Sequence, residues 1–188
     1  MSSIKDSNLA SKGAEEINWA TRQMQVLEEI SAEFALSKPL NGLNIGACMH
    51  VTKETANLMM TLKAAGASVA LCASNPLSTN DSVAAFLAEN DIEVHAIRGV
   101  SNDDFFKHLN SVLDTNPDIT MDDGADLVTL LHTDRSDISV LGSMEETTTG
   151  VIRLKSMEKN NKLRFPVVAV NDSDTKHCLL YTSDAADD

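Results

Sequence analysis

Short apolar runs alternate with helix-patterned stretches from residue 43 to residue 170, and this alternation constrains the fold more than any other feature of the chain. The runs are LNIGAC (43–48), SVALCA (68–73), IEVHAI (92–97) and DITM (118–121), followed by ISVLG (138–142) and PVVAV (166–170). Between them, apolar residues recur at helical spacing over 52–65, 79–88, 102–113, from near Gly124 onward, and over 145–159. Strand and helix alternating at this pitch predict a mostly parallel sheet with helices on both faces, a doubly wound α/β domain of three layers. Ahead of it, Ile17, Ala20, Met24, Leu27 and Phe34 predict one or two amphipathic N-terminal helices over about 9–36, ending before Pro39. Gly66 stands where a helix must end with positive φ and turn back into a strand.

The 188 residues, 43% hydrophobic and 23% charged, suffice for one substantial core. No stretch approaches ~18 uninterrupted apolar residues, and the opening MSSIKDSNLASKG lacks the apolar centre of a signal peptide, so a cytoplasmic, soluble protein is expected. A net charge of −13 repels phosphate backbones and argues against nucleic acid as a partner. Cys48, Cys72 and Cys178 form no CxxC and have no histidine at zinc spacing, so no metal site is expected and the thiols read as reduced, two of them within strands.

In Rossmann-like sheets, ligands bind beyond the carboxyl ends of the strands, where strand-to-helix loops and free helix N–H groups gather. The polar residues that follow the predicted strands are His50 and Thr52; Ser74, Asn75, Ser78 and Thr79; Asp122, Asp123 and Asp126; and Asn171, Asp174 and Lys176. One edge thus collects hydroxyls, carboxylates, an imidazole and an amine. Neither GxGxxG nor GxxxxGK[ST] occurs, so these residues alone hold no usual dinucleotide or triphosphate cradle. Taken singly, each has a plainer reading: Asp122 and Asp123 suit a helix N-cap, His50 a loop, Lys176 a solvated surface, and Met144–Glu146 a helix N-terminus favoured by its dipole.

Six words in order, INWATRQMQVL, CMHVTKETANL, SNPLSTNDSVAAFLA, MDDGADLVTLLH, MEETTTGVIRLKSMEK and FPVVAVNDSDTK, resemble the N-terminal, substrate-binding part of the adenosylhomocysteinase family over nearly all of residues 9–177. The resemblance implies a two-domain, homotetrameric enzyme with bound NAD that reversibly splits S-adenosylhomocysteine into adenosine and homocysteine. The family oxidises the ribose 3′-hydroxyl, which acidifies the C4′ proton; loss of that proton expels the thiol, water adds, and the ketone is reduced back. By position, Lys176 is implied as the base at the 3′-hydroxyl, with Asp123 and His50 as the acid–base pair near the sugar. Glu146 is implied to grip the ribose hydroxyls and Thr147, Thr148 and Thr149 to reach toward NAD. Thr52, Glu54 and Thr55 match the adenine and sugar side, with Glu54 toward the adenine amino group, and Ser78 and Asn171 match further lining positions. Where the family commonly carries glutamine before the aspartate of the second word, this chain has Asn80, a shorter amide.

After Lys176–His177 the family continues into a phenylalanine–aspartate–asparagine word and then its NAD domain, whereas this chain reads CLLYTSDAADD. That stretch resembles a reading frame through a transposon-style sequencing-library adapter, the other reading being a genuine divergent C-terminus. Residues 1–177 are therefore expected to be the substrate-binding portion, 178–188 a non-native tail, and the NAD-binding domain absent, leaving the chain by itself inactive. Two other readings stand beside this one: a catalytically silent, adenosylhomocysteinase-like regulatory or binding protein, and a generic flavodoxin-like ligand-binding module.

Overall fold

The structure, a computed structural model, describes residues 1–176; Cys178 and the tail reading lie outside the described residues. Six parallel strands form one sheet: β1 (Asn44–Met49), β2 (Ser68–Ala73), β3 (Glu93–His95), β4 (Ile119–Asp122), β5 (Gly142–Glu145) and β6 (Val167–Ala169). Their order, β3-β2-β1-β4-β5-β6, is that of a doubly wound fold whose direction of winding reverses between β1 and β4. Around the sheet run α1 (Ala10–Thr21), α2 (Gln25–Ser37), α3 (Lys53–Ala64), α4 (Asp81–Glu89), α5 (Asn102–Leu113), α6 (Asp126–His132) and α7 (Thr148–Lys159).

Alternation along the strands divides the core. Val69, Leu71 and Ala73 of β2 face α3, α4 and Ile17 of α1, while Ala70 and Cys72 of the same strand face Phe105, Leu109 and Val112 of α5 and Leu127 and Leu131 of α6. A third cluster joins Val128 of α6 to Leu154 of α7 beneath β6. Cys48 and Cys72 sit opposite one another in the β1–β2 register, both buried. A hydrogen bond with Cys72, reinforced by burial, holds the Cys48 thiol well above its usual range, and both cysteines pack as apolar side chains.

Gly66 follows the end of α3 at φ +98, as expected, with the Asn41 backbone against it. Two expectations are corrected. ISVLG is not a strand: Ile138 and Val140 are buried in a loop, and the strand lies four residues later at Gly142–Glu145. The following helix begins at Thr148 instead of 145, because Glu145 completes β5 as a buried strand residue. The N-terminus adds a piece the pattern did not announce. Ser3 donates to the Val94 carbonyl and its own carbonyl accepts from Ala96, covering the free edge of β3.

Candidate active site

Loops between a strand and the next helix must stop one hydrogen-bonding pattern and start another, so they favour Ser, Thr and Asn as caps. Thr52, Asn80, Ser101 and Thr147 cap α3, α4, α5 and α7, and each stands beyond a strand's carboxyl end. The residues that begin the helices therefore also line the ligand edge.

At the β1–β4 reversal, His50 Nε2 lies 3.2 Å from Asp123 Oδ2, and Ser74 Oγ donates to the same oxygen at 3.1 Å. Asp123 is largely enclosed and His50 half open, so a ligand reaching this crevice meets the imidazole first. His50, Thr52, Glu54 and Ser78 line a cleft of about 980 Å³ that also runs past Trp19 and Arg98. The Thr52 hydroxyl accepts from the Thr55 amide at 3.3 Å, and Ser78 Oγ accepts from the Asn75 amide at 3.0 Å. Thr55 is thus tied to the cap and is not one of the cleft's walls. Glu54, in the first turn of α3, leaves its carboxylate exposed to the cleft. Asn80 is committed elsewhere: its Oδ1 accepts from Ser82 N–H at 3.1 Å, and its Nδ2 donates to Glu16 Oε2 at 2.6 Å.

The second group lies beyond β5 and β6. Lys176 Nζ donates to the Glu146 carbonyl at 2.6 Å and to Asn171 Oδ1 at 2.7 Å; Thr148 Oγ1 reaches the same Asn171 oxygen at 3.3 Å. The Glu146 carboxyl is half-buried and held above its ordinary pKa, chiefly by burial, with Lys176 opposing the shift and Asp123 adding to it. That last coupling links the two groups. β1, β4, β5 and β6 are consecutive in the sheet, so His50, Asp123, Glu146 and Lys176 stand along one edge, spanning about three strand spacings or ~14 Å.

Of the three threonines, Thr147 turns inward: its hydroxyl donates to Glu145 Oε1 at 2.7 Å and accepts from Gly150 N–H at 3.0 Å. Thr148 and Thr149 are exposed. Beneath the rim lie two carboxylates outside the predicted site. Asp122 and Glu145 are register partners across β4 and β5, and neither is exposed. Glu145 accepts from Gly124 N–H (2.9 Å), Ala125 N–H (2.8 Å) and both Thr147 donors, so its carboxylate sits just ahead of the N-termini of α6 and α7, in keeping with the helix-dipole reading of Met144–Glu146. The only sequence signal for it was a period-two pattern in GSME, where Ser143 and Glu145 share the buried side.

Comparison with known proteins comes out in one direction. The sequence model described as S-adenosyl-L-homocysteine hydrolase matches residues 1–143 and 135–180. An adenosylhomocysteinase of Aquifex aeolicus is 52% identical over 177 residues, covering 93% of this chain and 42% of the relative. One of Pyrococcus abyssi is 49% identical, with 93% and 42% covered. An S-inosyl-L-homocysteine hydrolase of Methanococcus maripaludis is 50% identical over 179 residues, covering 94% and 43%. The chain spans about two fifths of the length of these relatives.

Proposed function

Since this chain belongs to the S-adenosyl-L-homocysteine hydrolase family, we propose that it forms the nucleoside-binding portion of a cytoplasmic enzyme that hydrolyses S-adenosylhomocysteine to adenosine and homocysteine. Residues 1–177 are this portion, and an NAD-binding domain belongs to the remaining length that the relatives have. The active assembly is a homotetramer acting on small molecules. Among the described residues no helix is long and apolar enough to cross a membrane.

The observation that carries this reading is the pairing of His50 with Asp123 at the winding reversal, two strands away from a lysine held by Asn171 and the Glu146 carbonyl. An imidazole 3.2 Å from a carboxylate can pass a proton between a sugar carbon and a leaving thiolate. Lys176, with two of its donor directions fixed by neutral oxygens, keeps its remaining hydrogen-bonding capacity for a ribose 3′-hydroxyl. Glu146 offers a half-buried acceptor for the sugar hydroxyls, and such charge-assisted bonds strengthen as water is excluded.

NAD fits this chain only at its margin. No glycine-rich turn follows β1, where the chain reads His50-Val51-Thr52 instead. The exposed hydroxyls of Thr148 and Thr149 at the start of α7 suit an outer contact, whereas the Thr147 hydroxyl is already engaged. When bound, NAD supplies reversible oxidation at the ribose 3′ position; this chain's residues orient the sugar and move protons around it.

A second substrate is favoured by one finding: the S-inosyl relative is as similar as the S-adenosyl ones. The Glu54 carboxylate can accept from an adenine amino group or from N1–H of hypoxanthine. The test is release of free thiol by the full-length protein from each nucleosyl-homocysteine. Turnover of the adenosyl thioether is expected, falling by roughly a hundred- to ten-thousand-fold in Asp123→Asn and in Lys176→Ala. Full activity in either variant would remove that residue from the mechanism.

A further inference from the structure

Two turns carry the proposed acid–base and sugar-binding residues, and one buried side chain holds both. The first turn follows β4 and runs through Asp123, Gly124 and Ala125, the last two with positive φ of +123° and +61°. For alanine this is unfavourable backbone, which persists only where surrounding contacts enforce it. The second follows β5 and runs through Glu146 and Thr147 into α7. Glu145 receives two donors from each: Gly124 and Ala125 N–H from the first, Thr147 N–H and Oγ–H from the second.

The surroundings are fitted to this carboxylate. A Cβ placed on Gly150, in the first turn of α7, would overlap the Glu145 carboxyl group, so only glycine leaves it room. The adjoining Asp122 carbonyl accepts from Glu146 N–H at 2.9 Å, and Arg153 of α7 donates to the Gly124 carbonyl at 2.7 Å, closing the same pair of turns from other sides. A buried carboxylate with four donors and no exposed surface is costly unless every bond is kept, which makes its geometry stiff.

We propose that Glu145 is a positioning residue, fixing Asp123 and Glu146 relative to one another through the two turns it bridges. The proposal rests on the nucleoside-site reading above. A glutamine at 145 can satisfy the donors of only one oxygen: its carbonyl suits the Oε1 position, keeping Gly124 N–H and both Thr147 donors, which turns its amide N–H₂ toward Ala125 N–H and breaks half of the first turn's attachment.

Two measurements test it. In this chain, Glu145→Gln is expected to keep its helical circular dichroism while the Ala125 amide resonance moves upfield and that of Thr147 stays near its place. In the full-length protein, the same change is expected to raise KM for the nucleosyl substrate at least roughly tenfold, since rim displacements well under 1 Å already cost this much. Loss of folded protein alone would lower kcat and leave KM unchanged. If Glu145→Gln fails to fold, Thr147→Val, which removes one donor of four, is expected to raise KM roughly threefold. An unchanged Ala125 amide, or a KM within twofold of the parent in whichever variant folds, would overturn the proposal. Absence of any turnover by the unaltered full-length protein would instead overturn the functional reading, while the amide measurement still decides whether Glu145 bridges the turns.

Discussion

Asp122 and Glu145, side by side and uncovered by any cation among the described residues, cannot both be comfortable as anions. Glu145 has four donors; Asp122 accepts from Val128 N–H at 2.9 Å with the Leu127 N–H beside it, and its Oδ1 is buried without a partner. The proton therefore belongs on Asp122, whose pKa is pushed up to about 7, first by burial and then by Glu145 against the backbone donors. A carboxyl raised on folding binds its proton more tightly in the native state, so its contribution is present at low pH and is lost as pH rises from about 4 through about 7. The loss is on the order of 4 kcal/mol at most. Asp122→Asn removes this titration, and its melting temperature is expected to exceed the parent's by on the order of 5 °C at pH 8 and to converge with it only below about pH 4. Equal melting curves at both pH values would show that Asp122 is ionised throughout. No composition or spacing argument reaches this pair, because Asp122 and Glu145 are 23 positions apart and meet only through the β4–β5 register.

Elements were legible where their signals were local. The helix starts read at Thr52, Thr79 and Asn102 are kept within two residues, under the caps Thr52, Asn80 and Ser101, and Gly66 marks its turn correctly. The shift of β5 from 138–142 to Gly142–Glu145 arose because Ile138 and Val140 look like a strand yet pack in a loop against α5 and α6. Apolar runs report burial, and burial is not confined to strands. Packing between α1 and α4 was likewise hidden. Gly13 of α1 lies against the Ser82 backbone of α4, so closely that a Cβ there would overlap the Ser82 carbonyl. Gly13→Ala gains helix propensity but forces the two helices apart, and a net destabilisation of roughly 1–3 kcal/mol is expected in urea unfolding. A stabilised variant would mean that α1 shifts without cost. The same movement would disturb Glu16, which holds the Asn80 cap at the mouth of the cleft.

For the whole molecule, the edge that carries the site is open: His50 and Glu54 are exposed, and the cleft has walls from α1, α3 and α4 but no opposite jaw among the described residues. Chemistry that must exclude water needs such a jaw. These 188 residues, purified alone with added NAD, are expected to release no thiol from S-adenosylhomocysteine, and measurable turnover would contradict the division of labour proposed here. The sequence by itself determined the parallel α/β class, the family, and which polar residues follow which strands, because periodicity, caps and short words are written in neighbouring positions. Only the tertiary structure decided that β1, β4, β5 and β6 lie in a row, that Asn80 and Thr147 spend their side chains on the scaffold, and that Glu145 binds two turns together. Those facts depend on strand order, register and helix packing, through which residues far apart in the chain become hydrogen-bonding neighbours, around Glu145 in a space that water cannot enter.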